Sequence, residues 1–168
     1  SRRLSLSNDT SLSGNDAGYR SIHITDEGYP SISKQEFNIS GEKLVAFAEG
    51  NGHDCGLYEE NILRCQGHNL HGQLGTGSSD INGASPSPNP QTADLSNLPG
   101  NISQITVSGG GTMYYYPAQT CILVASEVYC VGTEDHLGIG AGNNYDQSTF
   151  MNPVIFPTTA SQVTSIFS

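Results

Sequence analysis

Four cysteines and five histidines are the residues of this chain best suited to chemistry. Cys55 and Cys65 lie close together, as do Cys121 and Cys130, and each pair is a candidate for oxidation to a disulfide. His53, His68 and His71 fall in one short stretch, where imidazoles could share a metal ion. No thiolate is free to join them if the cysteines pair, and no carboxylate is suitably spaced. A bound metal is therefore not expected. Asp80-Ile81-Asn82-Gly83 has the opening of a calcium loop without its later ligands, and reads as a turn. Glu59-Glu60 reads as a solvated hairpin tip. The sequence holds no nucleophile elbow, phosphate loop or supported triad. No catalytic residue, metal or cofactor is expected, and an enzyme here would have to assemble its site from scattered loops.

The elements that position the cysteines are two hairpins. Pairing Cys55 with Cys65 sets Tyr58 opposite Ile62 and leaves the three-residue loop Glu59-Glu60-Asn61. Such a loop needs a left-handed residue at its third position, which Asn tolerates. Pairing Cys121 with Cys130 leaves the two-residue loop Ala125-Ser126. Counting outward from either loop places each pair at a non-hydrogen-bonded site, where Cα atoms approach to ~4.5 Å, at the near edge of disulfide range. Leu57 and Leu63, then Leu123 and Val128, share a face with those cysteines and are predicted core. The geometry and the even count favour a disulfide in each hairpin over buried free thiols. Each would contribute roughly 3 kcal/mol through loop-closure entropy. That points to an oxidising compartment, extracellular or within the secretory pathway.

The unit is used twice. Leu44, Phe47 and Gly50 recur as Ile102, Ile105 and Ser108, and again as Val163 and Ile166. The step is 58 residues from Leu44 to Ile102 and 61 from Ile102 to Val163. From Cys55 to Cys121 it is 66, because Gly109–Gln119 contains an insertion. A period of this size belongs to propeller or solenoid arrays. The chain divides into an irregular arm with strand-like sequence at Ile22 and Ile24 (1–41), a first repeat with a Pro/Ser-rich loop (42–100), a second repeat with a Tyr-rich insertion (101–157), and the opening strand of a further repeat (158–168).

Composition agrees with an all-β chain. Only 13% of the 168 residues are charged, 20 are Gly and 8 are Pro, and no window sustains helical periodicity. No apolar run is long enough to span a membrane. The net charge of −10, with six Lys plus Arg, disfavours a nucleic-acid partner. SRRLSLSNDT lacks the apolar core of a signal peptide, so the sequence reads as a mature or trimmed form. Sequons at Asn8, Asn38 and Asn101 are candidate glycan sites in a secreted chain.

These residues resemble the regulator of chromosome condensation repeat. The first copy supplies Gly50, His53, Cys55, Leu57, Gly67, Asn69, Gly72, Gln73, Leu74, Gly75 and Gly77 of that family's pattern. The second supplies Cys121, Leu123, Tyr129, Cys130, Gly132, Leu137, Gly138 and Gly140, without the His and with a loop two residues shorter. The resemblance implies four-stranded antiparallel blades of a β-propeller. The founding member is a nuclear exchange factor for a small GTPase and binds chromatin; the acidic balance and expected disulfides point away from both. Secreted relatives with paired cysteines look like adhesion, inhibitor or surface modules.

The expected function is therefore that of a non-enzymatic extracellular structural or interaction protein, self-associating head to tail into a filament. A monomeric binding or inhibitor propeller and a secreted carbohydrate-active hydrolase are the alternatives. Candidate contacts between copies are Val163, Ile166 and Phe167 in the tail, with Ile22 and Ile24 in the arm. Tyr114, Tyr115 and Tyr116, in the insertion, are an interface or fill a gap beside the blade.

Overall fold

The structure, a computed structural model, describes Phe37 and residues 39–50, 52–80, 87–109, 118–133, 148–150, 152–154 and 163–166. Among these residues the chain forms seven strands: β1 (Leu44–Glu49), β2 (His53–Tyr58), β3 (Ile62–Gly67), β4 (Ser87–Thr92), β5 (Ile102–Gly109), β6 (Ala118–Val124) and β7 (Glu127–Gly132). They make two antiparallel sheets, a four-stranded β1-β2-β3-β4 and a three-stranded β5-β6-β7. These are propeller-type blades, here blade one and blade two. No helix among the described residues is long and apolar enough to cross a membrane.

Both hairpins turn where left-handed residues permit it. Asn61 has φ 62°, as the three-residue loop requires, and Glu60 shares that value. Ala125 (φ 49°) and Ser126 (φ 70°) form a two-residue turn with both residues left-handed, the geometry that matches strand twist. Neither carries the usual Asn-Gly. The hairpins close instead through their strands, with Cys55 opposite Cys65 and Cys121 opposite Cys130. Both pairs are bonded, each with Cα atoms 4.1 Å apart.

The blades repeat one another residue by residue. Leu44 faces Tyr58 and Ala46 faces Leu57 across a bulge; Ile102 faces Val124 and Gln104 faces Leu123 across the same bulge. Gly67 and Gly132 both have φ 111° and lie against the start of the preceding strand. A Cβ on Gly67 would come 2.3 Å from the Gly52 carbonyl oxygen, and one on Gly132 would come 2.0 Å from that of Ala118. The next amide, His68 or Thr133, donates to that same oxygen at 2.8 or 2.9 Å.

The fourth strand is where the blades part. β4 lies inside the stretch expected to be a loop, because its Pro88 and Pro90 argue against a strand. Ala93 donates its N–H to Leu63, and the register shifts between Cys65 and Gly67, so Pro88 and Pro90 fall in an irregular stretch of the ladder, where proline is tolerated. In blade two the described residues of the corresponding stretch make one bridge, Tyr129 with Pro153, plus Val154 N–H to the Val128 carbonyl at 2.7 Å. The preceding residues are drawn off to blade one: Gly77 donates to Ser148 at 2.9 Å, and buried Phe150 packs where Gly75 lacks a side chain.

The main core is the seam between blades. Cys55, Leu57, Leu63 and Cys65 of blade one meet Ile102, Val107, Ile122, Val124, Tyr129 and Val131 of blade two. Each blade thus turns its disulfide face toward the next unit of the chain and its other face toward the preceding one.

Candidate functional site

Three places collect the side chains of interest, and the seam is the first. Thr120 Oγ1 donates to the Gln73 carbonyl at 2.7 Å, which uses its only proton. His53 Nε2, 2.9 Å from that oxygen, is therefore the donor of the pair. The Cys55 sulfur lies 3.6 Å from the same hydroxyl. Burial is the main force holding the His53 pKa down to about 3; His68 adds to it, and the Gln119 backbone opposes it. His53 is a neutral strut between blades. Burial also lowers His68, whereas His71 sits within the glycine loop, its N–H donating to Gln73 Oε1 at 2.9 Å. Among the described residues no three His, Cys, Asp or Glu side chains gather as a metal site. Asp80 gives its N–H to the Asn69 carbonyl at 2.8 Å, closing the same loop.

The second place is the outward face of blade one. Phe37, fully buried, fills the space over Gly56, where a Cβ would lie 2.8 Å from its ring. It stacks edge-on against Phe47 with centroids 5.0 Å apart, and its carbonyl accepts the Tyr58 hydroxyl at 2.7 Å. Burial, aided by the charge of Glu42, pushes the Tyr58 phenol up to about 12. Beside it Arg64 makes a two-pronged pair with Glu42, at 2.9 and 2.5 Å, and donates to Thr92 Oγ1 at 2.6 Å. These hydrogen bonds lower the Glu42 pKa and raise that of Arg64.

The third is the disulfide face of blade two. Leu123, Val128 and Cys130 are buried there, with half-buried Cys121, Val154, Val163 and Ile166 against them. Val163 donates to the Ser126 carbonyl at 3.2 Å and Ile166 to Gln104 Oε1 at 2.8 Å. The same hook joins the blades, where Ile102 N–H reaches Asn61 Oδ1 at 2.7 Å. In each case a hairpin tip catches a segment that follows it in the chain. Val163 and Ile166 thus lie on their own chain. Asn101, exposed, directly precedes β5. Asn8, Asn38, Ile22, Ile24, Tyr114, Tyr115, Tyr116 and Phe167 lie outside the described residues.

No family model and no curated protein matches the chain. Solved structures do. Yeast RCC1 (Prp20), solved with Kap60 bound, matches with TM-score 0.54 and 13% identity, over 72% of this chain and 26% of that one. The fold is RCC1-like. Prp20p from Saccharomyces cerevisiae, characterised with its binding to Gsp1p and histones, gives TM-score 0.53 and 16% identity, over 72% and 27%. Human WBSCR16 gives 0.52 and 16%, over 70% and 26%. The chain spans about a quarter of the length of these RCC1-like structures. At such identity the likeness is one of fold.

Sequence reading takes Phe37 as a possible strand start rather than a packing residue, and passes over Thr120 and the Glu42–Arg64 pair. Thr120 lies 67 residues from His53 and 47 from Gln73, so nothing local marks it. A sharper signal was available for Phe37: a large aromatic ahead of a strand whose neighbour carries Gly56, a vacancy of complementary size.

Proposed function

We propose that the chain is a non-enzymatic extracellular interaction module of structural type, joining proteins, its own copies among them, through the disulfide face of blade two. The observation that carries this reading is the equivalence of the two disulfide faces. Blade one buries its face under blade two, and blade two offers the same face with residues 163–166 laid across it. A disulfide within each blade supports residence in an oxidising compartment. His53, the most perturbed histidine described, serves the seam, which supports binding over catalysis. Yeast RCC1 with Kap60, and Prp20p with Gsp1p and histones, are RCC1-like proteins whose partners are proteins. A glycan at Asn101 would project from exposed backbone.

Native mass measured across a range of concentrations tests the reading. Removing residues 158–168 uncovers Leu123, Val128 and Cys130, and should raise discrete self-association. An unchanged native mass would mean the face is not a contact surface. A second reading, a monomeric binding protein, is favoured by Phe37, which closes the outward face of blade one that a neighbour would need. Full-length chain that stays monomeric at every concentration, captured only by foreign proteins, would support it.

A further inference from the structure

We infer that Cys121–Cys130 is a site of thiol–disulfide exchange, opened by an external dithiol while Cys55–Cys65 stays closed. The two bonds are made alike, in one register, on the central pair of equivalent hairpins. Their surroundings differ. Cys55 and Cys65 are fully buried, sealed under blade two with the Cys55 sulfur against Thr120. Cys130 is buried, whereas Cys121 is only partly buried. Cys121 sits on β6, between β5 and β7. Among the described residues, Val154 and the segment 163–166 lie over that face; the segment has no regular structure and hydrogen-bonds to Ser126 and Gln104.

Exchange requires a thiolate to reach a disulfide sulfur, so access decides between two otherwise equal bonds. The dithiol's thiolate attacks the Cys121 sulfur, forming a mixed disulfide and expelling Cys130 as a thiolate, which takes up a proton. The dithiol's second thiolate then attacks its own sulfur in the mixed disulfide and releases the Cys121 thiolate, which is protonated in turn. The reductant leaves as its own disulfide, having supplied two electrons. The event loosens the β6–β7 face beneath the tail and leaves blade one cross-linked. The surface that residues 163–166 cover thereby acquires a redox-dependent state.

The test is dithiothreitol reduction of the folded chain, with timed alkylation by light and then heavy iodoacetamide and peptide mapping. Cys121 and Cys130 should be alkylated at least tenfold faster than Cys55 and Cys65, with the β-sheet circular dichroism retained. Equal rates, the reverse order, or opening no faster than global unfolding would overturn the inference. Gln104→Ala removes the acceptor that holds Ile166 and should speed opening of Cys121–Cys130 severalfold, with Cys55–Cys65 unchanged. No acceleration, or equal acceleration at both bonds, would equally count against it.

Discussion

Blade one and blade two share a bulge, a hairpin register, a cross-strand disulfide and a glycine at φ 111°, yet their preceding faces are opposites. Where blade two carries Ile122, Val124, Tyr129 and Val131, blade one carries Gly56, Tyr58, Arg64 and Gln66. The aliphatic set packs onto another blade. The other set is covered by Phe37 and bridged by Glu42, so the same backbone template accepts a blade or a single aromatic ring according to which side chains it presents. Register and placement in the array are separate properties, carried by separate residues.

The largest expected effect probes what the blades share. Gly67→Ala and Gly132→Ala each drive a Cβ into a carbonyl oxygen at a left-handed position, and each should cost about 4 kcal/mol or more in denaturant unfolding. One tolerated and one not would break the equivalence of the blades. Phe37→Ala comes next. Removing a fully buried ring from over Gly56 should cost about 3 kcal/mol, and the outward face should then bind an apolar dye. Normal stability with no added dye binding would show that blade one is not closed by this residue.

The seam supplies a graded test. Below pH 6.5 the unfolded chain protonates His53, whereas the folded chain refuses the proton until about pH 3. The stability this histidine contributes is therefore fully present above pH 6.5 and is lost as pH falls towards 3, by about 1.4 kcal/mol per unit. His53→Gln installs the residue that blade two has at the equivalent place, Gln119, and should flatten this acid slope. An unaltered slope would move its origin elsewhere. The smallest effect is that of Glu42→Gln, which weakens the pair with Arg64 at a solvent-washed site. Melting temperature should drop slightly, less so in high salt; because the Glu42 pKa is lowered, the difference from wild type should vanish as acid protonates the native carboxylate. A salt-independent drop would argue against an electrostatic role.

Much of this architecture was legible in the sequence because it is local. Hairpin loop lengths fix which cysteines face each other, and Asn61 takes the left-handed place predicted for it. The apolar spacing at Leu44 and Ile102 marks the openings of the two blades. Elements set by distant partners were hidden. β4 was masked by Pro88 and Pro90, since proline is tolerated at an irregular stretch of a ladder and only the fold shows where that lies. The contact between Phe150 and Gly75 joins residues 75 positions apart, which no periodicity encodes. Of the candidate site, the disulfide faces were readable, whereas the seam strut and the Phe37 closure required the fold.

The hooks at Asn61 and Ser126 carry a consequence in time. Each belongs to a hairpin that precedes the segment it catches, Ile102 in one case and Val163 in the other. A chain emerging from its N-terminal side has each hairpin before the segment it catches, so the catching surface precedes what it receives. Order of synthesis then becomes order of assembly. A circularly permuted chain, opened between the hook and its catch, would have to find each partner by diffusion and should refold more slowly without being less stable.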